Sequence, residues 1–360
     1  MSLSSSYSTK RTRSKLRFGI VGAGAVVQSY LDAFEHCEEA KIVAIADCRV
    51  EAAQAMAERV GCFSYDHVEL MVRDCQLDAA IVCTPPATHR DICIYLAKNG
   101  IHVLCEKPFS IDEPGALAML HAAQNAGVKL TMASKFRYVE DVVRAKAMVT
   151  SGALGELVFF ENVFASCVNM TSRWNSRAEI SGGGVLIDNG THSVDLMRYF
   201  LGPLAEVHVF EGKRSQGLLV EETAALTIRS VSGVICRIDL SWNINKRRDS
   251  YLDIYGSGGA VSIGWKKSRY LDFSHGEWAE FGTGYNKTQS FRSQIKNFSR
   301  AIRGEEPLLI TGEDAIASVR IIASAYEALR QNQWNHVLSS PNHLNREEAH
   351  INGVASWPTV

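Results

Sequence analysis

Short apolar runs alternate with amphipathic segments along the first 135 residues of the chain. Each apolar run has the length of a strand, and the segments between them have the apolar spacing of helices. The predicted strands are residues 16–21, 41–46, 79–83, 102–105 and 129–133. Strands that alternate with helices predict an α/β protein whose first domain is a doubly wound parallel sheet, with ligands beyond the carboxyl ends of its strands.

From residue 154 onward, strand-like runs follow one another with few helical segments between them. These runs lie at residues 157–164, 204–210, 224–228, 233–239 and 251–254. They predict a second domain with a large, mostly antiparallel open sheet. A last helix is predicted over 312–331 with Thr311 as its N-cap. The predicted divisions are a tail at 1–14, a dinucleotide-binding domain at 15–138, a substrate-binding and oligomerisation domain at 139–338, and a tail at 339–360.

One amphipathic segment, residues 186–201, carries an unusual polar stripe. Wound as a helix, it places four side chains on one face, namely Asp188, His192, Asp195 and Tyr199, and four on the other, namely Leu186, Val194, Met197 and Leu201. Three glycines before it predict a flexible entry, and Gly202-Pro203 predicts its end. Two interpretations stay open: an ordinary amphipathic helix with a solvated polar face, or a catalytic carboxylate beside an imidazole.

Composition narrows the classes of function. The 360 residues are 46% hydrophobic and 21% charged, with a net charge of −1, so nothing indicates a nucleic-acid partner. The one basic cluster, at residues 10–17, lies in or beside a Ser-rich tail, and no function is assigned to it. No apolar run approaches 18 residues and no signal-peptide core is evident, so we expect no membrane segment and a cytoplasmic protein. Nine scattered cysteines without a C-x-x-C pair indicate reduced thiols and no metal site.

The first predicted strand runs into Gly22-Ala23-Gly24. In a strand–turn–helix unit, such glycines let backbone N–H groups approach a pyrophosphate at the start of the helix, here Ala25 and Val26. The third position of this fingerprint is Val27 rather than glycine or alanine. The alternative is a tight turn with no ligand.

The second predicted strand ends in Asp47, about 20 residues beyond the glycine loop. A carboxylate there can accept hydrogen bonds from an adenosine ribose and would repel a 2′-phosphate, which favours NAD over NADP. Arg49 would weaken this preference, so NADP stays possible. Asp47 can also be interpreted as the N-cap of a helix over 50–60.

Two peptides follow later strands of the first domain. They are Thr84-Pro85-Pro86, with His89 behind it, and Glu106-Lys107-Pro108. A lysine directly after a strand that faces a nucleotide crevice is a catalytic candidate, although most exposed lysines are solvated surface groups. In the second domain, Arg173, Trp174 and Arg177 either line a pocket for a polar substrate or fix their own loop.

In this order, the motifs closely resemble those of the Gfo/Idh/MocA family of nicotinamide-dependent oxidoreductases, which includes inositol dehydrogenases and glucose–fructose oxidoreductase. The resemblance extends from Leu16 to about Gln331, and Val27 is its one departure. The most specific pairing is Glu106-Lys107-Pro108 together with Asp188 and His192 after Gly-Gly-Gly. The resemblance implies a Rossmann domain followed by an α/β domain whose open sheet mediates dimers or tetramers.

The resemblance also implies roles for individual residues. Lys107 would hold a positive charge beside the reacting hydroxyl, His192 would exchange its proton, and Asp188 would orient the substrate or the imidazole. Cofactor contacts are expected from Gly22, Gly24, Ala25, Val26, Asp47, Arg49, Thr84, Pro85, His89, Glu106 and Lys107. Substrate contacts are expected from Arg137, Tyr138, Trp174, Asp188 and His192.

The resulting hypothesis is a dehydrogenase or ketosugar reductase that acts on a sugar, an inositol or a sugar derivative. Two alternatives are a non-catalytic, cofactor-binding regulatory protein of the same fold and a reductase of imine or diol substrates. Lys135, Arg137, Arg173, Arg177 and Lys246 are cations available for a phosphate or carboxylate of the substrate. Whether they converge is not evident from their positions in the sequence.

Overall fold

The first domain is built on a six-stranded parallel sheet. The structure, a computed structural model, describes residues 14–337, so both predicted tails lie outside the described residues apart from Ser14. The strands are β1 (Leu16–Val21), β2 (Ala40–Ala46), β3 (Phe63–Tyr65), β4 (Ala79–Val82), β5 (His102–Glu106) and β6 (Leu130–Ala133). Their order is β3-β2-β1-β4-β5-β6, and the direction of winding reverses between β1 and β4. At such a reversal, the strand ends diverge and leave a crevice for a ligand.

Helices cover both faces of this sheet. They are α1 (Val27–Phe34), α2 (Val50–Val60), α3 (Val68–Asp74), α4 (His89–Lys98) and α5 (Glu113–Asn125). The apolar residues form two separate buried clusters, one on each side of the sheet. The doubly wound prediction is therefore confirmed. The sequence analysis missed β3 and α3, because β3 has only three residues and Phe63 is exposed.

The second domain carries a nine-stranded sheet. Its elements are α6 (Glu140–Thr150), β7 (Leu157–Ala165), α7 (Ala178–Ser181), α8 (Val185–Asp188), α9 (Gly190–Leu201), β8 (Leu204–Glu211), β9 (Thr223–Ser230), β10 (Ile235–Ser241), β11 (Ser250–Gly256), β12 (Gly259–Gly264), β13 (Ser268–Asp272), β14 (Trp278–Gly282), α10 (Lys287–Ile302), α11 (Gly312–Gln331) and β15 (Asn335–His336). The strand order is β14-β13-β12-β11-β7-β10-β9-β8-β15. Within the described part of this second sheet, only the β7–β10 pair is parallel, so the mostly antiparallel prediction is confirmed.

Helices α6, α8, α9 and α11 pack on one face of this sheet, and its other face is open. Strand β10 shows the alternation clearly, because Cys236, Ile238 and Leu240 are buried whereas Ile235 is 49% exposed. The sequence predicts that some apolar side chains lie on this open face, and the candidates are Val158, Phe160, Val207, Val209, Ile235 and Leu240. Four of them, Phe160, Val207, Val209 and Leu240, are instead buried in the core, whereas Val158 and Ile235 are 59% and 49% exposed.

The last two long helices return to the first domain. Helix α10 packs against α1, and Phe291, Ile295 and Phe298 enter the same apolar cluster as Phe18. Helix α11 contacts α5 and β6. Thr311 caps α11 as predicted, in a capping box with Asp314. These contacts join the two domains, and the domain boundary at residue 138 stays a prediction.

Candidate functional site

A crevice of about 840 Å³ lies at the carboxyl ends of β1, β2 and β4. Gly22 begins its wall with φ +98°, and a Cβ there would lie 2.8 Å from the backbone of Cys83. A Cβ at Gly24 would meet nothing within 4 Å, so its backbone faces open space. The loop is therefore folded tightly on one side and accessible on the other, as a pyrophosphate site at the start of α1 requires. Ala25 lines the crevice as well.

Asp47 lies on the rim of this crevice, at the end of β2. Its Oδ2 accepts a hydrogen bond from Ala23 N at 2.6 Å, and its Oδ1 accepts one from Arg49 N at 2.8 Å. The Arg49 guanidinium pairs with the same carboxylate at 3.2 Å. Partial burial raises the pKa of Asp47, but the hydrogen bonds from Arg49 and Ala23 outweigh it, so the pKa lies below its ordinary value.

The N-cap interpretation of Asp47 is wrong. Helix α2 begins at Val50, its N-cap position is Arg49, and no side chain caps it. Asp47 instead connects the glycine loop, through Ala23 N, to the segment before α2, through Arg49 N. Its carboxylate lines the crevice.

Thr84 and Pro85 line the crevice, whereas His89 does not. The His89 side chain has no exposed surface, and its Nδ1 and Nε2 lie 3.0 Å from Pro108 O and 2.8 Å from Thr84 O. The structure therefore differs from the prediction of a direct cofactor contact. His89 connects the two strand-end peptides and holds them at a constant separation.

A loop of the second domain covers part of the crevice. Arg173, Trp174 and Arg177, together with neighbouring residues of the same loop, face Gly24 and Asp47 across the opening. Trp174 is 37% exposed and lines a second cavity as well. The predicted aromatic and cationic lining is present, and it borders mainly the dinucleotide crevice.

The second cavity, of about 440 Å³, adjoins the first and shares Cys83, Thr84 and Trp174 with it. Lys107, Asp188 and His192 all line it. Lys107 Nζ donates a hydrogen bond to Asp188 Oδ1 at 2.6 Å and to Asp188 O at 3.0 Å. These residues are 81 positions apart and belong to different domains, so docking of the domains assembles the cavity.

His192 is 6% exposed and contacts Phe136 and Phe164 edge to face, with ring centroids 5.0 and 6.3 Å away. Its Nδ1 is buried and has no hydrogen-bond partner among the described residues. Burial, followed by the charges of Lys107 and Lys135, holds the pKa of His192 well below its ordinary value. The imidazole is therefore neutral at neutral pH and can accept a proton.

The segment that bears Asp188 and His192 consists of α8 and α9, which meet at Asn189. The backbone of Asn189 keeps helical dihedrals (φ −84°, ψ −36°), so the predicted helix is interrupted at this one residue without a change to an extended conformation. The polar stripe is also not solvated, since Asp195 has no exposed surface. Gly202, with φ +76°, ends α9 as predicted.

The three glycines before α8 serve close packing rather than a flexible entry. A Cβ at Gly183 would overlap the Tyr326 hydroxyl, and one at Gly184 would overlap Glu221 O. The buried Glu221 Oε1 accepts hydrogen bonds from Gly184 N at 2.9 Å, Leu186 N at 3.0 Å and the Tyr326 hydroxyl at 2.7 Å. Sequence reasoning missed Glu221, whose pKa burial raises.

Two predicted substrate contacts, Arg137 and Tyr138, do not reach the cavity. Arg137 is 2% exposed and pairs with Asp195 at 2.7 Å and with Asp314 at 3.2 Å. The Tyr138 hydroxyl donates a hydrogen bond to Asn297 Oδ1 at 3.1 Å. Both residues connect helices of the second domain. Lys246, another cation considered for the substrate, pairs with Asp239.

Glu106 and Lys135 are two further charged residues that line the cavity. The Tyr30 hydroxyl donates to Glu106 Oε1 at 2.7 Å, and Lys107 N donates to Glu106 Oε2 at 3.2 Å. Burial raises the pKa of Glu106. Val26, which was predicted to contact the cofactor, also lines this cavity.

Within residues 14–337, no group of three or more potential ligands could hold a metal ion, and no helix is long and apolar enough to cross a membrane.

The fold and site define a class of proteins, the two-domain oxidoreductases that bind a dinucleotide in the crevice of a doubly wound sheet. Residues 16–134 match the profile described as "Oxidoreductase family, NAD-binding Rossmann fold", and residues 142–262 match the "GFO/IDH/MocA C-terminal domain". The chain belongs to the Gfo/Idh/MocA family of oxidoreductases, and its first domain is the NAD-binding domain of that family.

Individual relatives agree with this assignment. The chain is 24% identical to inositol 2-dehydrogenase of Rhizobium meliloti over 332 residues, which cover 88% of this chain and 97% of the relative. It is 30% identical to D-glucoside 3-dehydrogenase of Escherichia coli over 265 residues, which cover 68% and 75%. Levoglucosan dehydrogenase in complex with NADH superposes with a TM-score of 0.84 at 20% identity, over 91% of this chain and 100% of that one.

Proposed function

We propose that this oxidoreductase transfers a hydride between NAD(H) and a secondary alcohol or ketone of a sugar, an inositol or a sugar derivative. The observation that carries the proposal is the Lys107–Asp188 ion pair beside His192, in a cavity that adjoins the dinucleotide crevice. The names of the relatives, inositol and glucoside dehydrogenases, support the substrate class.

Lys107 and His192 divide the proton chemistry in this proposal. When bound, the nicotinamide supplies the hydride acceptor or donor. The Lys107 ammonium is held in place by two oxygens of Asp188, so its charge is available to stabilise an alkoxide in the cavity. His192 is neutral because of burial and the adjacent lysines, so it can take the proton of the substrate hydroxyl. Asp188 acts by holding the ammonium at a defined position.

NAD(H) is the proposed physiological cofactor rather than NADP(H). The Asp47 carboxylate lies on the crevice rim, where a 2′-phosphate would meet like charge. Arg49 would favour a 2′-phosphate if it were free, but its guanidinium is engaged by Asp47. The predicted contacts of Gly22, Gly24, Ala25, Thr84 and Pro85 with the dinucleotide belong to this proposal.

We further propose a homodimer or homotetramer formed through the open face of the second-domain sheet. Apolar side chains on that face include Ile235 and Phe210, which are about half exposed, and Trp278.

A cytoplasmic location is proposed as well. This proposal is supported by the nine cysteines, none of which forms a disulfide, because thiols stay reduced in the cytoplasm.

The test of the function is an absorbance assay of reduced nicotinamide with a panel of inositols, neutral hexoses, sugar acids, sugar phosphates and nucleotide sugars. We expect turnover with at least one cyclic polyol or sugar, and faster turnover with NAD than with NADP. A protein that binds NAD but oxidises or reduces none of the panel would contradict the proposal and would favour a regulatory role.

A further inference from the structure

Besides Lys107, the substrate cavity contains a second lysine. Lys135 lies in a short 3₁₀ helix directly after β6 and lines the same cavity as Lys107, Asp188 and His192. It is partly buried, so its ammonium has lost part of its hydration. A charged group that loses hydration requires a compensating partner, or its charged form is destabilised.

Aromatic rings surround the Lys135 ammonium. Its Nζ lies 5.4 Å from the ring centroid of Phe136, 5.8 Å from that of Tyr285 and 5.7 Å from that of Phe291. Cation–π contacts of this kind stabilise a cation and fix its position. They leave its N–H groups available, because an aromatic face accepts no conventional hydrogen bond.

The Lys135 ammonium forms no ion pair or hydrogen bond with any side chain or carbonyl of the described residues. Other lysines of the protein do have carboxylate partners: Lys107 pairs with Asp188, Lys246 with Asp239 and Lys267 with Glu280. Lys135 is therefore a positioned cation whose hydrogen-bond donors are directed at no protein acceptor.

The other charges of the cavity do not neutralise Lys135 at short range. Asp188 is paired with Lys107, so its carboxylate is not the close partner of Lys135. Glu106 is within electrostatic range, but its two oxygens accept hydrogen bonds from Tyr30 and Lys107 N. Burial and then the charge of Lys107 lower the pKa of Lys135 to about 8, and this happens despite Glu106 and Asp188. An anion bound beside Lys135 would compensate the ammonium for the hydration that it loses on burial.

We infer that Lys135 binds an anionic substituent of the substrate, a carboxylate or a phosphate, and that the enzyme acts on a sugar acid or sugar phosphate in preference to the neutral sugar. The inference rests on the proposed function, since it places the anion in the same cavity as the reacting hydroxyl. Trp174, Trp265 and Phe164 provide apolar surface for the ring of the sugar, and Asn175 and Asn189 provide amides for its hydroxyls.

The test compares matched pairs of ligands: glucose with glucuronate and glucose 6-phosphate, and galactose with galacturonate. Binding to the NAD complex is measured by calorimetry, and turnover is measured by nicotinamide absorbance. We expect at least one acidic member to bind about tenfold more tightly than its neutral partner, the scale of one charge-assisted hydrogen bond. Comparison of the uronates with glucose 6-phosphate shows whether the site prefers a carboxylate or a phosphate.

The substitution Lys135→Met removes the cation and keeps the length of the side chain. We expect it to raise the Kd and KM of the preferred acid by about 10-fold or more and to change those of the neutral partner by less than about threefold. Lys135→Arg retains the charge and should retain the preference. Lys146→Met is the matched control, because Lys146 also packs on an aromatic ring, that of Tyr199, but lies outside the cavity.

Three outcomes would overturn the inference. The first is tighter binding of the neutral sugars by the unmodified protein, and the second is an equal loss for acid and neutral ligands in folded Lys135→Met. The third is a loss of preference in Lys135→Arg as complete as in Lys135→Met. Turnover of neutral sugars in preference to acids would contradict the inference in the same way as the first outcome, but it would leave the proposed function intact. NAD binding without turnover of any sugar would contradict the proposed function, while the calorimetric comparison would still decide the role of Lys135.

Discussion

At the scale of single residues, the environment of His192 decides its protonation state. An exposed histidine titrates near pH 6.5, but His192 is buried against Phe136 and Phe164 and faces the charges of Lys107 and Lys135. Each of these effects disfavours the imidazolium. A neutral imidazole beside a fixed ammonium is the arrangement in which one residue accepts a proton and the other stabilises the resulting oxyanion.

Substitution of the two cavity residues tests their proposed roles. We expect His192→Ala and Lys107→Met each to lower turnover by about 10²-fold or more, the usual scale of acid–base catalysis, with NAD affinity largely unchanged. His121→Ala, at an exposed histidine of α5, is the control. Turnover, NAD affinity and melting temperature are measured together. Near-normal turnover in either folded variant would remove that residue from the mechanism.

The low pKa of His192 also predicts a pH dependence of stability. In the unfolded chain, histidine binds a proton below about pH 6.5, whereas folded His192 stays neutral to a lower pH. The unfolded state then binds more protons, so the stabilisation is present above pH 6.5 and is lost as the pH falls towards the folded pKa. We expect urea unfolding to show a smaller loss of stability below pH 6.5 in His192→Asn, by up to about 1.4 kcal/mol per pH unit. Parallel curves for the two proteins would contradict this explanation.

Asp47 is predicted to set the cofactor preference. Asp47→Ala removes the carboxylate and frees Arg49 for a 2′-phosphate, so we expect kcat/KM to shift towards NADP by about tenfold or more. Asp47→Asn is the matched control, since its amide oxygen can still accept the Ala23 N–H, and it should shift less. An unmodified protein that binds NADP more tightly than NAD in direct titration would refute the assignment.

At the scale of helices, buried charges join elements that apolar contacts alone would align less specifically. Arg137, from the 3₁₀ helix after β6, pairs with Asp195 of α9 and Asp314 of α11. Arg198 of α9 pairs with Asp314 as well, at 3.2 Å. Burial raises the pKa of Asp195 in spite of its arginine partner, so the carboxylate depends on that partner to remain charged. The cluster fixes α9, and with it His192, against the cavity.

Removal of Arg137 should therefore destabilise the protein strongly. Arg137→Met leaves Asp195 buried without its partner, and we expect a loss of about 3–5 kcal/mol in the free energy of unfolding, measured by denaturant titration. The double variant with Asp195→Asn should recover part of this loss, because no buried charge then remains unpaired. Arg144→Met, at an exposed arginine that pairs with Glu140, should cost about 1 kcal/mol or less. Similar losses for both arginines would show that burial of the ion pair is unimportant.

At the scale of the whole molecule, the two domains are connected by α10 and α11 and by the contacts of the cavity. The second sheet keeps one face open, and that face carries Ile235 and Phe210 among charged side chains such as Arg229 and Glu206, which pair with each other. A mixed apolar and polar face of this kind is suited to a symmetric contact with a second copy of the chain.

The oligomer prediction is tested by light scattering. We expect a mass of two or four times the 39.6 kDa of the chain at micromolar concentration. Ile235→Arg should lower this mass, since it introduces a like charge near Arg237 and Arg229 on the open face. Leu219→Arg, at a fully exposed position outside the strands, is the control and should leave the mass unchanged. A mass near 39.6 kDa for the unmodified protein would count against the proposed contact.

Local pattern alone was sufficient for many of the regular elements, although α6, α10 and β12 to β14 were not predicted. The apolar runs located β1 and β4, the amphipathic period located α2 and α11, and Thr311 was correctly predicted as a cap. These features depend on interactions within a few residues, so the sequence contains the whole signal. Short or exposed elements such as β3 were missed because their local signal is weak.

The residues of the site were predictable as candidates, whereas their partners were decided by tertiary structure. Lys107 and Asp188 meet across 81 positions, and nothing local indicates that Glu221 holds the start of α8 or that His89 is buried between two carbonyls. The position of Lys135 among aromatic rings depends in the same way on distant segments, which supply Tyr285 and Phe291. Periodicity determines which face of an element is apolar, but only packing between elements determines which charges are buried together, and that burial sets their chemistry.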